Sequence, residues 1–136
     1  MENQFKIRYA WLKGMYIYTI LAAGTSGISM ILMPKTFTSM LGLPMQEPIN
    51  FGILGSVYLA FGLISILGLI SPLKFAPILL VEMTYKIIWF IGVVLPLIFT
   101  GQFPEYALIN TIIFATFIIG EAIAIPFKYL FKKQLT

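Results

Sequence analysis

Long uncharged apolar runs, separated by short polar stretches, dominate this chain. Met15 to Met33 carries no charged residue, and neither does Asn50 to Ile70. A third run is interrupted by Glu82 and Lys86, and a fourth by Glu121 alone. A helix rising ~1.5 Å per residue needs about 20 apolar residues to cross a ~30 Å hydrocarbon core. The pattern therefore predicts transmembrane helices over about 10–33, 50–70, 75–99 and 106–127. The expected fold class is all-α: an antiparallel four-helix transmembrane bundle, folded as a single domain over residues 1–136 with no internal repeat.

The connections support antiparallel neighbours. Ser71, Pro72 and Lys74 form one tight turn, and Thr100 to Glu105, with Gly101 and Pro104, forms another. Pro34 stops the first span, and a linker over 34–50 carries Pro34, Pro44 and Pro48. Within it Phe37, Met40 and Leu41 fall at helical spacing, which predicts a short interfacial helix between spans 1 and 2. Pro96 is expected to free the carbonyl of Gly92 and kink the third span.

Composition agrees with the pattern. Of 136 residues, 60% are hydrophobic and 10% charged, against about 25% charged in soluble domains. The net charge of +4 would suit nucleic acid, but the basic residues flank apolar runs, where they meet lipid head groups. Membrane lipids are thus the expected partners, and nucleic acid is set aside. The first run is too long for a cleaved leader and reads as a retained span. Lys6, Arg8, Lys13, Lys74, Lys128, Lys132 and Lys133 fall on one side, and only Lys35 on the other. That bias predicts cytoplasmic termini, and a bacterial inner membrane is the expected location.

The chemistry available is narrow. The chain has no Cys, His or Asp, so thiol nucleophiles, thiolate metal sites and imidazole proton shuttles are missing. No metal site, cofactor or catalytic residue is expected, and an enzyme is the least expected reading. The carboxylates are Glu2, Glu47, Glu82, Glu105 and Glu121.

Charges inside a span cost on the order of 2.5–3.5 kcal/mol each, so they tend to pair, face inward or mark a function. Glu82 and Lys86 share one helix face, and Tyr85 and Trp89 extend it. Counting from the basic flanks, Glu82 lies roughly 12 Å deep and Glu121 roughly 10 Å deep at ~1.5 Å per residue. A polar layer is expected from Glu82, Lys86 and Glu121, joined by Tyr16 or Tyr18 of the first span. With two acids and one lysine, one glutamate is expected to hold a proton. The layer reads either as an internal ion pair fixing helix register or as an anchor for a ligand head group or a proton. A third reading lets one of the residues snorkel to the surface. Asn110, Phe114, Phe117 and Glu121 share a face of the fourth span, where Asn110 lines a cavity or bonds a neighbouring helix.

Small residues form two further stripes, Tyr18–Ala22–Thr25–Ser29 and Gly52–Ser56–Ala60. They read as packing within the bundle or as a face for a homodimer or a larger membrane complex.

The four-span layout, "MPKTFTSMLGLP", "FGILGSVYLAFGL" and the late Glu in "FIIGEAIAIPF" resemble the small DoxX-like membrane proteins. The resemblance implies a four-helix membrane bundle, and for some members quinone-linked redox systems or accessory roles in complexes. Cysteines tied to redox in some relatives have no counterpart here. The expected function is binding of a hydrophobic or amphipathic small molecule (lipid, isoprenoid or quinone-like) in an intramembrane cavity. Glu82, Lys86, Glu121, Tyr85, Trp89, Asn110, Phe114, Phe117 and Tyr18 are its expected contacts. A proton-coupled transporter working as an oligomer and an accessory subunit are the alternatives.

Overall fold

A computed structural model describes residues 5–134, and these residues form helices and turns. Four helices are long and apolar enough to cross a membrane: α1 (Tyr9–Leu32), α3 (Pro48–Ile70), α4 (Ala76–Phe99) and α5 (Glu105–Ala124). The short α2 (Pro34–Met40) follows α1, and α6 (Phe127–Leu130) follows α5. The chain is an all-helical bundle with the layout of an integral membrane protein. Its outward surface is aliphatic, with Leu21, Leu63, Ile88 and Ile119 among the exposed side chains, as lipid-facing helices require.

Side-chain contacts at one end fix the antiparallel arrangement. Near the start of α1, Tyr16 donates to the carbonyl of Pro72, in the turn between α3 and α4, at 2.6 Å. Arg8 donates to the carbonyl of Ile123, at the end of α5, at 3.0 Å. The beginnings of α1 and α4 and the ends of α3 and α5 therefore gather at this basic end. The linker and α2 sit at the other. Helix α1 packs against α3 and α5, and α4 closes the bundle against α5 and α3.

Helix boundaries follow local chemistry. Pro48 occupies the first turn of α3, where its missing N–H is no loss. Glu47 caps that helix, its two carboxylate oxygens accepting from the backbone N–H groups of Ile49 and Asn50 at 2.8 Å each. These bonds hold the exposed Glu47 carboxyl below its ordinary pKa. The sign follows: the cap's contribution is full above the unfolded-state value and fades as pH falls through the lowered folded value. A Glu47→Ala variant should melt lower than the parent at neutral pH, and the gap should close in acid. Thermal scans across pH check this.

The fourth span ends at Ala124, short of the expected 127. Ile125 precedes Pro126 and takes an extended conformation (φ −67°, ψ 127°), as a residue before proline prefers. The third span carries its irregularity just before Pro96, as a π-helical turn over Phe90–Val94. A second π turn, Ile20–Gly24, interrupts α1 with no proline to explain it. Such turns re-aim side chains within a helix and are frequent at functional sites.

Close packing of α1 on α3 uses a row that the stripes do not name. Gly24 faces Gly62, and Gly27 faces Gly55 and Leu59. Gly52 has nothing near the position of a Cβ, and Ser56 and Ala60 are exposed. The Gly52–Ser56–Ala60 stripe thus points out of the bundle and does not pack it. Thr25 is likewise exposed, and Tyr18, Ala22 and Ser29 are only half-buried.

Candidate functional site: a polar layer beneath an apolar cavity

The polar layer forms inside the basic half of the bundle. Glu82 and Glu121 are both 0% exposed and Lys86 is 1% exposed. One helical turn separates Glu82 from Lys86, so their side chains meet, with Nζ 3.5 Å from Glu82 Oε2. The ammonium also lies over three rings: Phe117 at 4.2 Å, Tyr85 at 4.5 Å and Phe114 at 5.0 Å from their centroids. Ring faces carry negative quadrupole potential and favour a cation there, most strongly where water is excluded.

The first span's contribution to the layer is Thr19, and not a tyrosine. The Thr19 hydroxyl, itself fully buried, lies 2.9 Å from Glu82 Oε1 and 2.9 Å from the Met15 carbonyl. Tyr16 is spent on Pro72, and Tyr18 pairs with Thr116 at 2.7 Å while stacking on Phe117. Thr19→Val keeps the shape of the side chain and removes the donor. It should cost about 1.5–3 kcal/mol, the range for a hydrogen bond to a charged group, and unfolding in detergent or bicelles would measure the loss.

Among the described residues, both oxygens of Glu121, Glu82 Oε2 and Ser65 Oγ are buried without a hydrogen-bond partner. Glu121 is near enough to Glu82 and Lys86 for their charges to act on one another. Two carboxyls and one ammonium balance when one carboxyl carries a proton, the state that a low-dielectric interior tolerates best.

Above this layer, toward the linker end, lies a cavity of about 420 Å³. Lys86 forms part of its wall, with Tyr85, Trp89, Asn110, Phe114 and Phe117. Glu82, Glu121 and Tyr18 do not line it. Lys86 stands between Glu82 and the cavity, and Tyr18 stacks on the Phe117 ring with centroids 4.0 Å apart. The remaining wall was not foreseen: Ala22, Ala23 and Ser26 from α1, Tyr58 from α3, and Phe37, Leu41 and Gln46 from the linker segment. Ala22 and Ala23 belong to the π turn of α1, and Trp89 immediately precedes that of α4. Phe37 packs toward Phe51 with ring centroids 6.1 Å apart, tying α2 to the start of α3.

No protein-family model, curated protein or solved structure matches the chain.

Proposed function

We propose that this membrane protein binds a hydrophobic or amphipathic small molecule in the cavity between its spans, with the polar end of the ligand against Lys86. The observation that carries this reading is a largely apolar cavity of about 420 Å³ with, among the described residues, Lys86 as the charged residue in its wall. That volume is within the range of small-molecule sites, and a few polar groups amid aromatic walls are what such sites use to orient a ligand. The carboxylates take a supporting part in this account. Glu82 positions and neutralises Lys86, and Glu121 holds the balancing proton. The positive-inside bias supports placing both termini, and so the polar layer, on the cytoplasmic side of a bacterial inner membrane. Kinship with DoxX-like proteins is part of the proposal, resting on the four-span layout and the loose motifs quoted above.

Ala23→Phe tests the reading, because Ala23 lines the cavity from α1 and is not itself a residue of the polar layer. Native mass spectrometry of gently extracted protein should show a discrete bound molecule on the parent and its loss from Ala23→Phe, with both proteins folded. An unliganded parent, or equal retention by the variant, would contradict cavity binding.

The partnerless oxygens of buried Glu121 support a second reading, proton-coupled transport. Its distinguishing result is substrate-driven proton flux into liposomes that stops with Glu121→Gln.

A further inference from the structure

The charges around the cavity restrict the ligand more than its volume does. Building on the cavity-binding reading above, we infer that the ligand's polar end is an uncharged hydrogen-bond acceptor. A carbonyl-type oxygen on an apolar chain or ring fits, in preference to a carboxylate, sulfonate, phosphate or amine.

Among the described residues Lys86 is the charged residue in the wall, and on its own it would suggest an anion site. Its ammonium is already matched by Glu82 Oε2 at 3.5 Å, and the Glu121 carboxyl is buried in the same layer. All three groups are at most 1% exposed, so water does little to screen them. An anionic head arriving at Lys86 would place a third acidic group beside a single cation in a dry interior. Its own desolvation would add to that cost. A cationic head fares no better, since the charge it meets in the wall is Lys86, and neither carboxylate lines the cavity.

A neutral oxygen escapes both penalties. An ammonium has three N–H donors and no acceptor. Glu82 takes one direction, and the rings of Tyr85, Phe114 and Phe117 lie under the others. Ring faces are weak partners for N–H beside an oxygen lone pair. Lys86 is only 1% exposed, so a carbonyl oxygen must displace one of these rings to reach it; it would then give Lys86 a better acceptor while leaving the charge balance untouched. Among the described residues the rest of the polar lining adds no ionic group: Tyr58, Tyr85, Tyr106, Ser26, Gln46 and Asn110 offer only neutral donors and acceptors.

The experiment compares a methyl ketone, an alkyl sulfonate and a primary alkyl amine of equal chain length. The full-length protein is held in zwitterionic nanodiscs at neutral pH. Trp11 and Trp89 are the two tryptophans, and Trp11 is exposed, so a Trp11→Phe background leaves Trp89 as the reporter in the cavity wall. Affinities are expressed as mole fraction in the bilayer, which removes differences in partitioning. The ketone should bind about tenfold or more tightly than either charged probe, the order expected when an ionic head must be desolvated and left unbalanced. Sulfonate or amine binding as tightly as the ketone, with saturable Trp89 responses, would overturn the head-group inference and leave cavity binding standing. No saturable response to any probe would instead overturn the cavity-binding reading on which the inference rests.

Discussion

Lys86→Met should lower the unfolding free energy by about 3–5 kcal/mol, the range for removing one partner of a buried ion pair. Methionine fills much the same volume, so packing is not the source of the loss. What changes is the balance of charge: Glu82 and Glu121, both 0% exposed, lose the only ammonium beside them. Glu82 would have to take up a second proton to the layer or leave the interior. The double variant Glu82→Met/Lys86→Met removes both members together and should be far milder, within about 1 kcal/mol of the parent, because an apolar replacement of a whole pair is often neutral. Equilibrium unfolding in bicelles separates these cases. If the single and double variants lose the same stability, the pair is not holding the layer together.

The second large effect belongs to Gly27. A Cβ there would lie 2.5 Å from both the Gly55 carbonyl oxygen and the Leu59 backbone nitrogen, and 2.9 Å from Leu59 Cα. Backbone atoms of a packed helix cannot turn aside as a side chain can, so α1 and α3 must separate to admit any side chain. Gly27→Val should cost about 3 kcal/mol or more, the upper end of the overpacking range. Gly52→Val, where a Cβ meets nothing within 4 Å, should stay within about 0.5 kcal/mol of the parent, as an unconstrained surface change does. The contrast matters because helix association in lipid depends on close van der Waals approach, with no hydrophobic drive between helices. Loss at Gly52 comparable to that at Gly27 would mean that the outward stripe is covered by a second chain.

The spans were legible because their length and lack of charge answer to one physical constraint, the hydrocarbon core. The end of the first span was legible from Pro34, whereas Pro48, assigned to the linker, opens α3 two residues before the expected start, with Glu47 as its cap. The fourth span was overrun because its apolar run continues past Pro126, although that proline was itself a stop signal. Depth counting brought Glu82, Lys86 and Glu121 into one layer. Applied to every hydroxyl, it would also have reached Thr19, six residues beyond Lys13.

Rotation of one helix against another was not legible. Steps of four selected Gly52, Ser56 and Ala60, whereas the packed glycines of α3, Gly55, Gly62 and Gly68, are seven and six apart and are identified by their partners on α1. The same limit kept the cavity's far wall hidden. Phe37, Leu41 and Gln46 reach it from the linker, where helical spacing marked the short helix but not which way it turns toward the bundle. It also hid the order within the polar layer, where Lys86 lines the cavity and the carboxylates do not.

The central claim is that the bundle holds a bound molecule inside and does not merely present an outer surface to lipid. The most direct measurement is photolabelling in native-like membranes with an uncharged alkyl diazirine, mapped by peptide mass spectrometry. Cavity binding should give saturable labelling of Trp89, Asn110 and Phe114, abolished by Ala23→Phe, alongside unsaturable labelling of exposed Ile88 and Ile91. Labelling confined to the exposed positions, with no saturable component, would contradict it.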